Sequence, residues 1–377
     1  MKNPLTQAFG IEYPFFAFSH CRDVVAAVTN AGGMGVLGAL AFSPEELEME
    51  LTWIDEHVGG KPYGVDVVMP VKTVDRDRGI DDVSDIGAQL RSLISQEHWD
   101  YVDKILEDNG VDLSASTKEL ESGAGLGAGV LGWTAATGAP QIDIALSHPI
   151  ALLASALGPP PKAAIDQAHE QGVQVAALIG RVEQAVRDVQ LGVDIIIAQG
   201  YEAGGHTGEV STMVLLPDVV DAVDVPVLGA GGIGSGRQMA AAMALGAAGV
   251  WTGSIWLTVA ENGSSTIVTE KLLAATSTDT VRSRAYTGKP ARQLRTAWTE
   301  AWEAPESPGT VPMPLQFILN SYATQKMGPN PPRALVGMPV GQIVSRMNQV
   351  RTTKAVVQEM VEEYVDVTQR LTADLEG

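Results

Sequence analysis

The chain has 377 residues, 45% of them hydrophobic and 19% charged, a composition suited to a globular protein long enough to bury a large core. A formal net charge of −20 excludes a nucleic-acid or anionic-membrane surface, because either needs clustered Lys and Arg. The one cysteine, Cys21, excludes an intrachain disulfide and a cysteine-cluster metal site, and no metal is expected.

No basic segment leads into an apolar one near the start, and no apolar run reaches membrane-spanning length, so a cytoplasmic location is expected. Residues 13–18 form a short aromatic run that reads as a strand. Val24, Val25 and Val28 then fall at helical spacing before Gly32-Gly33 stops the helix. Residues 34–40 are a second strand. Ser43-Pro44-Glu45-Glu46 reads as an N-cap serine, a proline at the first helical position and a glutamate three residues after the cap. That helix runs to about His57, and residues 63–69 give a third strand.

The alternation breaks over residues 72–147, which hold a charged segment, an amphipathic stretch near Leu90 to Leu106 and a glycine-rich tract from Gly123 to Gly132. This segment reads as an insertion, placed over a barrel mouth because it leaves from a strand's carboxyl end. Strands then recur at residues 151–157, 173–179, 193–197, 226–228 and 250–251, with helices at 162–171 and 182–191 between them. About eight strands with intervening helices make the pattern of a closed parallel (β/α)8 TIM barrel, an α/β fold. Residues 266–275 read as the helix after the last strand and 286–295 as a loop returning toward the site. Residues 304–314 and 328–332 are proline-rich and irregular, and 353–371 form a terminal helix packed on the barrel. The expected organisation is one domain over 1–377, with a helical insertion at 72–147 and a C-terminal helical extension at 297–377.

The chemistry concentrates in Ala198-Gln199-Gly200-Tyr201-Glu202-Ala203-Gly204-Gly205-His206-Thr207-Gly208, directly behind the apolar run 193–197. Gly204 and Gly205 let backbone N–H groups close on a ligand without interference from a side chain, which suits a phosphate. A second such loop, Gly229-Ala230-Gly231-Gly232-Ile233-Gly234, precedes the helical stretch from Arg237, and two loops can grip one phosphate from both sides. Gly253 and Ser254 follow the last strand, where barrels often bind phosphate; tight turns with no ligand would carry the same glycines. His206 sits on the first loop with an unperturbed pKa suited to proton transfer. Glu202 reads as an acceptor behind that loop, or as a carboxylate that is solvated or paired with a backbone amide.

These two loops, with Ala244-Leu245-Gly246-Ala247-Ala248-Gly249-Val250 running on to Gly253-Ser254, Thr29-Asn30-Ala31-Gly32-Gly33-Met34-Gly35-Val36-Leu37-Gly38 and Tyr286-Thr287-Gly288-Lys289-Pro290-Ala291-Arg292, resemble the nitronate monooxygenase family, formerly called 2-nitropropane dioxygenases. The resemblance implies a TIM barrel, a non-covalent FMN and a base or acid on the loop histidine, His206. It further implies cofactor contacts from Gln199 and Asp66 toward the flavin ring, and from Gly204, Gly205, Gly231, Gly232, Gly253 and Ser254 toward the phosphate.

The activity implied is FMN-dependent oxidation of an alkyl nitronate, or a similar carbanion-forming substrate, with O2. The alternative is a flavin reductase, dehydrogenase or hydroxylase acting on an acyl or enoyl thioester, since the family includes enoyl-thioester reductases with a similar Gly-Gly-His segment. A different class, a flavin-free phosphate-sugar isomerase or lyase on the same barrel, predicts a colourless protein. The partners expected are a small-molecule substrate and O2, with a homo-oligomer left open.

Three departures from the family pattern stand out. Ala17-Phe18-Ser19-His20-Cys21 replaces a Gln-Ala-Pro-Met segment, Asp66 stands where members often have Asn, and the insertion reshapes the substrate pocket. A carboxylate donates no hydrogen bond unless protonated, so Asp66 alters the contact expected of an asparagine. Cys21, beside a buried strand, reads mainly as packing.

Overall fold

The computed structural model describes residues 1–68, 86–114 and 135–376. Eight parallel strands close into a barrel in the order β1 (Phe15–Ser19), β2 (Met34–Gly38), β3 (Gly64–Val68), β4 (Leu152–Ala156), β5 (Gln174–Ile179), β6 (Ile195–Gln199), β8 (Val227–Ala230) and β9 (Gly249–Thr252). Each strand is buried on both faces, so its sequence is a near-continuous apolar run, as in Ile195-Ile196-Ile197. The capping box expected at Ser43 forms: Ser43 Oγ accepts from the Glu46 N–H at 3.2 Å and the Glu46 carboxylate from the Ser43 N–H at 2.8 Å.

Alternation along the strands separates two layers. Phe16, Met34, Val36, Leu152, Ala154, Ala176, Ile195, Ile197, Leu228, Ala230 and Trp251 fill the barrel interior. Their neighbours Ala17, Leu37, Val65, Val67, Leu153, Val175, Ile196 and Val250 face the surrounding helices. The helix Pro4–Phe9 plugs the amino-terminal end of the barrel, with Leu5 and Phe9 in the interior cluster and the Phe9 ring edge-on to Phe16 at 5.6 Å. Ligands are therefore confined to the other end.

Residues 286–295, expected as a loop, are in part strand. A three-stranded antiparallel sheet joins β7 (Gly205–His206), β10 (Thr280–Ser283) and β11 (Ala291–Leu294), so the glycine loop after β6 is itself one edge of a sheet. Of residues 72–147, the helices Ile86–Ser92 and Gln96–Asp108 supply Leu90, Val102, Ile105 and Leu106 to a second core with Trp298, Trp302, Ile318 and Leu319 of the chain's later helices. The helix Ala135–Ser147 instead places Ile142, Ala145 and Leu146 in the barrel's outer layer, against the helix Pro44–His57. The tract from Gly123 to Gly132 lies outside the described residues. Leu106→Ala is expected to cost about 2–5 kcal/mol of stability, as a fully buried leucine does. Urea denaturation checks this, and a cost under about 1 kcal/mol would show that these helices do not share a core.

Candidate active site

The mouth of the barrel is built from the carboxyl ends of the strands, and most of the expected site residues lie there. Gln199 ends β6 on an inward position, paired in register with Ala230, and is half-buried. The loop after it is held on all sides. Tyr201 N–H donates to Val210 at 2.8 Å, the Thr207 hydroxyl to Gly200 at 2.7 Å, and Arg292 Nε to the Tyr201 carbonyl at 3.1 Å, with the guanidinium 4.4 Å from the Tyr201 ring centroid. Glu202 is the carboxylate paired with a backbone amide: it accepts from Thr212 N and Oγ1, both at 2.9 Å, capping the helix Thr212–Ala222.

His206, on β7, pairs with Ala291 of β11, and its Nε2 lies 2.7 Å from the Thr287 hydroxyl. Thr287 is fully buried and its oxygen also accepts from the Lys289 N–H at 3.3 Å, which fixes the hydroxyl against the imidazole. Burial, with a smaller push from the Lys289 charge, drives the imidazole pKa down to about 4. His206 and Tyr286 are half-buried and His20 is exposed, yet all three sit deep enough among protein atoms for burial to dominate their titration. His206, Thr287 and Lys289 stand together as one wall beside the loop after β6. Sequence reasoning assigned no role to Thr287 or Lys289, although both belong to a block quoted for the resemblance.

The loops after β8 and β9 meet beside this wall. Gly231 and Gly232 have φ of +93° and +70°, which L side chains rarely adopt. Among the described residues, no protein group accepts from the N–H of Gly231, Gly232, Gly253 or Ser254. A side chain at Gly253 would meet nothing closer than Phe18 at 3.9 Å. These are open donors at the ends of the seventh and eighth barrel strands. Ser254 Oγ accepts from the Gly341 N–H at 2.8 Å and keeps its own proton to donate. Gly204 does something different: a side chain there would lie 2.7 Å from the Val340–Gly341 backbone, so its lack of one serves packing against the chain itself. Gly205 has φ of +73° and open space around it.

Asp66 points into the barrel from β3, between Gly38 on β2 and Ala154 on β4 in register, and is 3% exposed. Among the described residues no hydrogen bond reaches its carboxyl, and burial alone pushes its pKa up to about 8. It is a neutral acid at pH 7. Because the folded pKa exceeds the ordinary aspartate value of 3.8, the folded state binds the extra proton and stability falls as pH rises from about 4 to about 8. Asp66→Asn, uncharged throughout, is expected to remove that part of the slope, so that its stability advantage over the parent grows with pH across this window. Urea denaturation of ligand-free protein at several pH values checks it; parallel curves would refute a neutral Asp66. The Cys21 thiol donates to the Glu261 carbonyl at 3.3 Å. Among the described residues no cluster of His, Cys, Asp and Glu suits a metal, and no helix is long and apolar enough to cross a membrane.

Comparison with known proteins adds three findings. The family model described as nitronate monooxygenase matches residues 2–363. A Mycobacterium tuberculosis protein provisionally named a monooxygenase is 50% identical over 379 residues, covering 98% of each chain. In fold, the chain is similar to nitroalkane oxidase from Streptomyces ansochromogenes, with a TM-score of 0.78 at 22% identity, covering 98% of this chain and 100% of that one.

Proposed function

The chain belongs to the nitronate monooxygenase family of oxidoreductases, and from that membership we propose that it binds FMN at the barrel mouth and oxidises an alkyl nitronate, or a similar carbanion-forming substrate, with O2. The observation that carries the cofactor is the set of open N–H groups at Gly231, Gly232, Gly253 and Ser254, whose donors fit a phosphate dianion at the position barrels use for one. No adenosine pocket is recognisable in the sequence, so FMN is preferred over FAD.

Bound FMN supplies the two-electron chemistry and the reactivity toward O2. The protein's own part is binding and proton handling. Gln199 at the end of β6 and Asp66 midway along β3, both on inward positions, would hold the ring, and His206 exchanges the substrate proton from a neutral imidazole braced by Thr287. Lys289 and Arg292 supply positive charge beside that loop in a chain otherwise strongly acidic. Val68, Met313 and the partly buried Leu157 and Phe317 form an apolar wall at the ends of β3 and β4, suited to the alkyl part of a substrate. We take the helices of residues 86–108 as an outer layer behind that wall, and the same wall supports the second reading, an acyl or enoyl thioester substrate.

The purified protein is expected to be yellow and to release FMN, not FAD, on denaturation. Anaerobic mixing with an alkyl nitronate, with NAD(P)H and with acyl-CoAs then separates the two readings by which one bleaches the flavin, and an enoyl-CoA is tested by whether it reoxidises flavin already reduced by NAD(P)H. A protein that stays colourless after reconstitution would defeat both and return the flavin-free isomerase or lyase.

A further inference from the structure

The first and second departures from the family pattern meet in space. Gly38 faces the barrel interior, since Met34 and Val36 before it on β2 do. A side chain at Gly38 would lie 2.6 Å from His20 Cε1 and 2.8 Å from the Phe18 ring, so the missing side chain is what lets the His20 ring lie across β2. The ring sits edge-on to Phe18 at 5.0 Å between centroids. Its Nδ1 is 2.9 Å from the Gly38 carbonyl. A carbonyl only accepts, so Nδ1 carries the proton and Nε2 of the neutral ring is a bare acceptor. Among the described residues no hydrogen bond reaches that Nε2. On the far side of Gly38 stands Asp66, its register partner, buried and equally without a hydrogen bond.

Among the described residues, the turn after β1 and the neighbouring strands β2 and β3 thus present an open acceptor and an open acid on either side of a glycine. We propose that His20 Nε2 and the protonated Asp66 carboxyl together recognise the pyrimidine edge of the bound flavin, His20 accepting from the ring N3–H and Asp66 donating to a neighbouring ring carbonyl. This rests on the reading that FMN occupies the mouth. The edge of that ring alternates N–H donor and carbonyl acceptors, and the pair offers the complementary groups. An asparagine at Asp66 supplies its own donor; here an acid does so as long as it keeps its proton.

Among the described residues, few neighbours set the state of Asp66. Neither β2 nor β4 carries a titratable side chain, β3 carries no other, and His20 across Gly38 has its pKa lowered by burial and stays neutral near pH 7. Affinity for FMN is therefore expected to fall as pH rises through about 8.

The test is equilibrium binding of FMN and of 3-methyl-FMN, in which the N3–H is replaced, to flavin-stripped protein at pH 7. The parent is expected to favour FMN by about tenfold, the worth of one buried hydrogen bond. His20→Asn keeps an amide N–H for the Gly38 carbonyl but lacks the Nε2 acceptor, and the preference should shrink to about twofold or less. Gly38→Ala displaces the ring without removing it and should do the same, which covers the case that either variant folds poorly. Asp66→Asn keeps a donor at every pH and should abolish the alkaline loss of FMN affinity. Equal binding of the two flavins by the parent, a preference that survives in both His20→Asn and Gly38→Ala, or an alkaline loss that persists in Asp66→Asn overturns the assignment while leaving FMN binding intact. Failure of the parent to bind FMN at all overturns the cofactor reading, and this inference with it.

Discussion

His206→Asn is expected to lower turnover by about 10²–10⁴-fold, the usual cost of losing a positioned acid or base, while the purified protein keeps its FMN. The separation follows from geometry: the imidazole is carried by β7, paired to β11 and bonded to Thr287, whereas the open amides belong to the loops after β8 and β9. With its pKa pushed down to about 4, the imidazole is neutral across the physiological range. Its contribution as a base should therefore be flat above about pH 5.5, show no inflection near 6.5, and fall only as pH approaches 4 and the ring takes up a proton. The measurement is the rate of flavin reduction at matched flavin occupancy, for mutant and parent across pH, with the substrate that the anaerobic screen identifies. An unchanged rate and profile would make His206 structural. Loss of flavin together with activity would show that the histidine holds its loop in shape instead of moving a proton.

Much of this barrel could be read before any coordinates, because each strand buried on both faces is an apolar run bounded by glycine or proline. The run 193–197 and the Ser43 cap are examples. Strand edges shifted by a residue or two, which alternation alone does not fix. The small sheet was illegible: β7 has two residues, too few for any periodicity, and its partner β11 lies 85 residues further along the chain, its Ala291 set against His206. The Val340–Gly341 backbone against Gly204 was hidden for the same reason, as was the helix Pro4–Phe9, whose six residues span under two turns. Glycine identity was visible but not its purpose. Gly204 makes room for the chain itself, Gly38 for a histidine ring, and Gly231 and Gly232 hold a backbone that leaves donors open. The protonation of Asp66 was also out of reach, since the sequence names the residue and only the fold shows that it is buried with, among the described residues, no charge beside it.

Gly232→Val is expected to cut the FMN content of purified protein by about tenfold or more, for two reasons that compound. At φ of +70° a side chain costs about 1–2 kcal/mol in the left-handed region, and more for a β-branched one, so the backbone will relax and turn its N–H away. The new Cβ would also stand 3.3 Å from the Glu202 Cβ, and Glu202 cannot yield freely because its carboxylate caps the helix Thr212–Ala222 through Thr212. Strain alone is separated from ligand binding by Gly59→Val. Gly59 has φ of +60° with open space around it, in a turn at the far end of the helix Pro44–His57, so it meets the same backbone cost away from the loops. Flavin content and FMN dissociation constant, measured beside the urea midpoint for both variants, decide the matter. Equal destabilisation with flavin lost only in Gly232→Val assigns the loss to the phosphate grip. If Gly232→Val retains FMN at the parent's affinity, the phosphate is held elsewhere and the open amides of Gly231 and Gly232 serve the turn alone.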